Sequence, residues 1–226
     1  PLRLVGSEMC IRDSGKTEMW YIVDCEPGAY LYYGFQKEIS KAEFKERIEN
    51  NTLLEVLNKV PVHKGDVFFI SAGTLHAIGK GILIAEIQQN SNTTYRVYDY
   101  GRRGADGKLR PLHIEKALDV TNLSPIAPTA QYPAQPVDGG SVRRLESCKY
   151  FISDVVEVSG KVHFTVGTET FRHLLALDGE AVLETASGSY PMKKGDSVLL
   201  PAGLGAYSVK GSGFRYIVTG VEEKLG

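Results

Sequence analysis

The chain has 226 residues, of which 42% are hydrophobic and 23% charged, a composition typical of a folded globular protein. Its 26 Lys and Arg residues nearly balance its 27 Asp and Glu residues, so the sequence predicts no nucleic-acid partner and no anionic membrane surface as a partner. No apolar run approaches the ~18 residues of a membrane span. Three scattered cysteines argue against a disulfide scaffold and favour a reducing, cytoplasmic setting.

The first 14 residues, PLRLVGSEMCIRDS, show neither strand alternation nor a helical period. Strand-like sequence begins abruptly at Gly15. We therefore interpret residues 1–14 as a foreign leader, exclude them from the predicted fold, and expect the chain to lack part of its natural N-terminal region.

Alternating apolar residues predict strands in the segment that follows. On the first of these strands, residues 17–24, the side chains of Glu18, Trp20 and Ile22 share one face because strand side chains repeat every two residues. The further predicted strands are 29–35, 66–70, 82–88 and 94–99.

Two short helical insertions interrupt these strands. Ser40 and Glu43 form a capping box that opens a helix at residue 41, and a second helical stretch continues to residue 58 before Pro61. Pro111 near the first helical position predicts a helix over 111–119. The polar loop 101–110, between the strand at 94–99 and this helix, carries four cations, which are Arg102, Arg103, Lys108 and Arg110.

Residues 122–140 contain four prolines and end in Gly139-Gly140, so they are predicted to be a linker. Short β runs follow, with the spacing of a small sandwich or barrel. They are 149–157, 161–166, 172–177, 180–185, 197–200 and 214–219. The prediction is therefore a mainly β protein with one domain at 15–121 and a second at 141–226.

An internal repeat links the two domains. Residues 64–73 (KGDVFFISAG) and 194–203 (KGDSVLLPAG) share five of ten positions at an offset of 130. Extended to His76 and Ala206, both segments resemble the second conserved motif of the cupins. This resemblance implies two cupin-type jelly-roll domains, of which the first has a histidine ligand for a metal and the second, with Ala206, has none.

Two residues of the first domain are candidate metal ligands. A neutral imidazole at His76 and a carboxylate at Glu18, on separate strands of one small barrel, are donors that zinc accepts. Considered singly, a histidine such as His76 among apolar residues is more often a hydrogen-bonded core residue, and Glu18 has the similar alternative of a surface acid.

Two cations are candidates for substrate chemistry. Lys16 lies two residues before Glu18 and faces the same side, where it would hold an anionic substrate or transfer a proton; a solvated lysine at the strand end is the alternative. Arg96, flanked by Tyr95 and Tyr98, offers a planar fork suited to phosphate or an oxyanion. Nearby, Glu86, Gln88 and Asn90 share one face, which suits a polyhydroxylated ligand or an ordinary turn.

Three segments together resemble the type I mannose-6-phosphate isomerases in their short bacterial form. They are residues 15–21 (GKTEMWY), 72–77 (AGTLHA) and 86–102 (EIQQNSNTTYRVYDYGR). The resemblance implies interconversion of mannose 6-phosphate and fructose 6-phosphate. It also implies one zinc ion held by Glu18, His76 and a Gln-x-His segment, with Arg96 as the catalytic arginine and Lys16 beside the metal-binding glutamate.

Residues 1–14 contain no Gln-x-His, so we expect this chain to lack two zinc ligands and to be inactive by itself. The route of hydrogen transfer stays open between an enediol and a hydride shift, and the base is unassigned, with Lys16 a candidate. The alternative is a non-catalytic bicupin that binds sugar or regulates transcription. A cupin-type glucose-phosphate isomerase would instead need a His-x-His motif. The sequence contains no clear signal for oligomeric state.

Overall fold

The computed structural model describes residues 3–7, 9–10, 14–91, 94–98, 106–108 and 112–221. The chain divides into two compact units, unit 1 (Pro1–Thr129) and unit 2 (Ala130–Gly226). Strands dominate both units, which confirms the expectation of a mainly β protein. Within the described ranges, no helix has the length and apolar character needed to cross a membrane.

Unit 1 contains antiparallel sheets of five, three and two strands. Its larger sheets have the strand orders β10–β1–β8–β5–β6 and β7–β4–β9. The strands are β1 (Arg3–Ser7), β2 (Met9–Cys10), β3 (Ser14–Gly15), β4 (Glu18–Cys25), β5 (Tyr30–Phe35), β6 (Leu57–Pro61), β7 (Val67–Ile70), β8 (Leu75–Ile78), β9 (Ile82–Gln88) and β10 (Thr94–Tyr98).

Strand β1 corrects the expectation that residues 1–14 stand outside the fold. Its backbone pairs with β8 on one side and β10 on the other, with Val5 opposite His76. Both neighbours would otherwise present unpaired N–H and C=O groups along an open edge, and pairing satisfies them.

Helix α1 (Lys41–Glu49) begins as its capping box predicts. The Ser40 hydroxyl accepts a hydrogen bond from the Glu43 N–H at 3.1 Å. The helix buries Phe44 and Ile48, one turn apart on the same face, against the core.

The second helical stretch, predicted for residues 53–58, is wrong beyond its first turn. Only a short 3₁₀ turn forms, at Leu53–Glu55, and Leu57–Pro61 is strand β6. This strand lies at a sheet edge, where the missing N–H of Pro61 breaks no interior ladder.

The second helix, α2 (Ile114–Val120), begins later than the predicted residue 111, which lies outside the described residues. Leu112 and His113 are not helical. His113 instead makes hydrogen bonds to the neighbouring strand β10.

Unit 2 has a six-stranded sheet, β11–β12–β13–β20–β15–β18, and a four-stranded sheet, β14–β19–β16–β17. Its core includes the buried rings of Tyr207, Phe214 and Tyr216. The strands are β11 (Gln135–Val137), β12 (Gly140–Ser147), β13 (Ile152–Val158), β14 (Lys161–Val166), β15 (Arg172–Asp178), β16 (Glu180–Thr185), β17 (Gly188–Lys193), β18 (Ser197–Leu200), β19 (Gly205–Gly211) and β20 (Phe214–Gly220).

The predicted linker 122–140 is wrong at its C-terminal end. Strand β11 lies inside it and pairs with β12 through the two-residue turn Asp138-Gly139, in which Gly139 has φ +76°. Asp-Gly between two extended segments is a strong hairpin signal, which the proline content of the segment obscured.

Both copies of the sequence repeat make the same turn. Asp66 Oδ2 accepts a hydrogen bond from the His63 N–H at 2.7 Å, and Asp196 Oδ2 accepts one from the Lys193 N–H at 2.8 Å. The copies differ at their last residue, since His76 is 2% exposed whereas Ala206 is exposed and is followed by the buried Tyr207.

Candidate active site

A buried carboxylate and a buried imidazole meet in unit 1. Glu18 is the first residue of β4, the central strand of the three-stranded sheet, and is 1% exposed. Its Oε1 lies 3.1 Å from Nε2 of His76, the second residue of β8. The two predicted metal ligands are therefore adjacent although they lie 58 positions apart in the sequence.

The orientation of the His76 ring is fixed from two sides. Its Nδ1 lies 2.8 Å from the Thr74 carbonyl oxygen and donates to it in the neutral tautomer. The Trp20 ring packs edge-on against it, with ring centroids 4.9 Å apart. This leaves the Nε2 lone pair directed at Glu18, an arrangement common for histidines that bind metals.

Lys16 lies between two carboxylates. Its Nζ is 2.7 Å from Glu18 Oε2 and 2.9 Å from Glu86 Oε1. Only 12% of the lysine side chain and 34% of the Glu86 side chain are exposed. The segment that carries Lys16 is held to the end of β9, because the Thr17 N–H donates to Gln89 Oε1 at 2.7 Å and the Gln89 N–H donates to the Thr17 carbonyl at 3.1 Å.

The pKa values follow this arrangement. Burial alone would raise the pKa of Glu18, but contact with His76, Glu86 and Lys16 outweighs it and holds that pKa well below its usual value. Burial alone would lower the pKa of Lys16, but the two carboxylates outweigh it and raise that pKa. Burial and the nearby Glu18 raise the pKa of Glu86, which Lys16 opposes. The cluster therefore keeps a carboxylate at Glu18 beside an ammonium at Lys16.

The carboxylate of Glu18 is buried without regular hydrogen bonds. One oxygen lies 2.7 Å from Lys16 Nζ and the other 3.1 Å from His76 Nε2, yet in the described part of the chain neither accepts a hydrogen bond of regular geometry. A carboxylate oxygen and an imidazole nitrogen are donors that suit zinc. Across the same residues, no group of three or more His, Cys, Asp or Glu side chains is arranged to hold a metal, so the site supplies two donors.

Arg96 lies on β10, half-buried, two strands away from His76 with β1 between them. Its neighbours Tyr95 and Val97 pack on the same core cluster as Leu75 and Ala77, which flank His76. Alternation along the strands therefore places Arg96 and His76 on the opposite face, with about 10 Å between their strand backbones.

The other candidate residues take different positions. Glu86, Gln88 and Asn90 are exposed along β9 and just beyond it, as predicted for one face of a strand. Lys108 is exposed, and the loop cations Arg102, Arg103 and Arg110 lie outside the described residues.

Sequence reasoning missed two contacts. The Lys16–Glu86 pair joins residues 70 positions apart, and no local spacing indicates it. The contact between His113 and Arg96 was also missed, although a histidine at the start of a helix, in place of Ser, Thr, Asp or Asn, was a usable signal.

Comparison with known proteins adds the family. A family model described as "Mannose-6-phosphate isomerase, cupin domain" matches residues 141–219. The chain is 40% identical over 197 residues to mannose-6-phosphate isomerase ManA of Bacillus subtilis, covering 87% of this chain and 62% of that protein. It is 36% identical over 200 residues to mannose-6-phosphate isomerase of Streptococcus mutans, covering 87% of this chain and 61% of that protein.

Solved structures show the same likeness. The crystal structure of a mannose 6-phosphate isomerase from Bacillus subtilis superimposes with a TM-score of 0.88 at 29% identity, covering 96% of this chain and 70% of that one. A variant of phosphomannose isomerase from Salmonella typhimurium matches with a TM-score of 0.70 at 14% identity, covering 99% of this chain and 76% of that one, which shows the fold alone.

The sheets of both units and the matched domain define a protein of the cupin class. Within that class, the chain is similar to the mannose-6-phosphate isomerases, in sequence over about 200 residues and in fold. It spans about three fifths of the length of the curated relatives it matches, 62% and 61%.

Proposed function

We propose that a protein containing this chain interconverts mannose 6-phosphate and fructose 6-phosphate. The observation that carries this proposal is the buried Glu18–His76 pair, braced by Lys16, in a chain similar to the mannose-6-phosphate isomerases. No comparison favours the alternative of a non-catalytic bicupin. A sugar phosphate as the partner and a cytoplasmic location are part of the same proposal.

Each unit is, in this proposal, a cupin jelly roll. Both contain two larger antiparallel sheets, and both use the same aspartate-stabilised turn before β7 and before β18. Unit 1 would carry the metal site, and unit 2 would be metal-free, because Ala206 has no donor atom and is exposed.

Glu18 Oε1 and His76 Nε2 are the proposed zinc ligands, with the remaining two from a Gln-x-His segment, as the family resemblance implies. A bound zinc ion supplies a Lewis acid that polarises the oxygens of the open-chain sugar. Lys16 would hold the Glu18 carboxylate in place and stays a candidate for proton transfer. Arg96, on the same sheet face as His76, would stabilise negative charge that develops on a sugar oxygen.

The described residues supply two ligands, and a catalytic zinc site normally has three from protein. We therefore expect the 226-residue chain to bind zinc weakly and to have little isomerase activity. The same chain extended at its N-terminus by a Gln-x-His-containing segment from a type I mannose-6-phosphate isomerase should gain both properties.

The test is a coupled assay that follows fructose 6-phosphate formation from mannose 6-phosphate in both proteins, with zinc added. His76→Gln in the extended protein should abolish stoichiometric zinc and activity. The matched control is His63→Gln, at a histidine whose side chain is 79% exposed and faces Asp66, and it should change neither. An extended protein that binds zinc at His76 yet does not convert mannose 6-phosphate would refute the proposed reaction. Equal activity of the two proteins would refute the assignment of the ligands.

A further inference from the structure

His113 makes two hydrogen bonds to the backbone of one residue, Arg96. The His113 N–H donates to the Arg96 carbonyl at 2.8 Å, and the Arg96 N–H donates to Nδ1 of the His113 ring at 3.2 Å. Both polar groups of the Arg96 backbone are thus held by a single residue from outside the sheet.

Strand β10 needs such a contact at this point. Among the described residues it is the edge strand of its sheet, and β1 is the strand that pairs with it. The pairing is irregular, since Leu4 faces Tyr98 and Gly6 faces Tyr95, so that Val5 alone stands opposite two residues of β10. A bulge of this kind disrupts the ladder locally. Arg96 is one of the two residues at this bulge, and its N–H and C=O both bond to His113.

The His113 ring accepts a hydrogen bond from Arg96 and does not cap its own helix. His113 is the N-cap residue of α2, but its side chain makes no capping hydrogen bond. The preferred N-cap residues use a side-chain oxygen to satisfy a free N–H of the first turn. Departure from a local rule without gain to the local element indicates a role elsewhere.

The ring is also held in place. It packs on the Tyr95 ring with centroids 5.8 Å apart, and α2 is anchored by the buried Ala117 and by the Lys45–Glu115 ion pair at 3.2 Å. To accept from the Arg96 N–H, Nδ1 must be unprotonated, which assigns the neutral ring with its proton on Nε2.

We propose that His113 is a positioning residue that holds the bulged Arg96 backbone so that the guanidinium faces the side of the sheet that carries His76. The inference rests on the proposed function for its catalytic consequence, but the positioning itself is independent of it. His113 does not touch substrate in this account and acts through Arg96.

The first arm of the test measures hydrogen exchange of the Arg96 amide by NMR in the 226-residue chain. His113→Leu keeps the bulk of the side chain and removes the acceptor, whereas His113→Asn places an oxygen near the position of Nδ1. The Arg96 amide should exchange at least about 10-fold faster in His113→Leu, the effect of losing one hydrogen bond of roughly 1.4 kcal/mol, and near the wild-type rate in His113→Asn. Unchanged exchange in His113→Leu overturns the positioning.

The second arm measures kinetics in the zinc-loaded extended protein. His113→Leu should lower kcat about 10-fold, within the range for a misplaced catalytic group, with KM changed less than about threefold. His113→Asn should recover most of the kcat. In an Arg96→Ala background His113→Leu should have no further effect on kcat, because a residue that acts through another is not additive with it.

A full additional loss in the Arg96→Ala background overturns the positioning role, since it would show that His113 acts on its own. The two proposals fail separately. An extended protein without isomerase activity refutes the proposed function, whereas the Arg96 amide still decides whether His113 holds that strand.

Discussion

Replacing Lys16 by methionine removes the charge that faces the buried Glu18 carboxylate while keeping most of the side-chain volume. In the native protein, the ammonium lies 2.7 Å from an oxygen of a side chain that is 1% exposed. The variant should destabilise unit 1 because a buried carboxylate loses its nearest permanent cation.

The size of the expected loss of stability follows from the burial of the Glu18 carboxylate. Breaking a buried ion pair by removing one partner costs about 3–5 kcal/mol. His76 Nε2 lies 3.1 Å from the other oxygen and still contacts the carboxylate in the variant, which favours the lower end, about 3 kcal/mol. For a unit of this size that loss corresponds to a fall in melting temperature of about 10 °C.

The assay is thermal and urea unfolding at neutral pH with a chelator present, so that metal binding does not contribute to stability. Glu86→Gln is the matched control. It removes the other carboxylate bound to the same ammonium, but the Glu86 side chain is 34% exposed, so the loss should stay under about 1 kcal/mol.

A double-mutant cycle isolates the pair. In a Glu18→Gln background, Lys16→Met should cost less than about 1 kcal/mol, because the buried negative charge is already gone. The reasoning is refuted if Lys16→Met is as stable as the wild type, or if its cost is the same in both backgrounds.

Three further predictions concern the rest of the chain. Arg96→Ala in the zinc-loaded extended protein should lower kcat/KM by on the order of 10²-fold with a nearly unchanged melting temperature, and an unstable but fully active variant would show that Arg96 is structural. Metal analysis of unit 2 alone should find no stoichiometric zinc, and one bound ion per chain would contradict the metal-free assignment. Burial raises the pKa of Tyr207 to about 12; because the folded state holds this proton more tightly, unit 2 should keep its full stability below pH 10 and lose up to about 3 kcal/mol as the pH rises to 12. Urea unfolding at pH 8 and pH 11 should show a smaller loss for Tyr207→Phe than for the wild type, and equal losses would exclude Tyr207 as a cause.

Periodicity and turn chemistry predicted most strands and the start of α1. They failed where a short segment was compatible with two kinds of local structure. Leu57–Pro61 alternates but follows a helix signal, and Gln135–Val137 is a strand within a proline-rich segment. Leu57–Pro61 is a strand because it pairs with β5, a partner that its own sequence does not indicate. Gln135–Val137 is a strand because it pairs with β12, and the Asp138-Gly139 turn that indicates this hairpin was obscured by the surrounding prolines.

The candidate site likewise contains some contacts that the sequence could predict and others that it could not. Lys16 lies two residues before Glu18, the first residue of β4, so alternation of the extended chain predicted that both side chains face the same side. The approach of His76 to Glu18 required the family resemblance, because it depends on how two sheets close over each other. The Lys16–Glu86 pair and the His113–Arg96 contact join segments 70 and 17 residues apart, and only the fold brings them together.

The two copies of the repeat also differ in the substitutions that their last glycine tolerates. Gly73 and Gly203 both have positive φ, at +86° and +77°. A Cβ atom at Gly73 would lie 2.5 Å from the Val120 carbonyl oxygen at the end of α2, whereas one at Gly203 would meet no atom within 4 Å. Asparagine, which tolerates a left-handed backbone, therefore fits at 203 and not at 73. Substitution of this glycine is therefore sterically allowed in unit 2. In unit 1 the same substitution would require the end of α2, the helix that begins beside His113, to move.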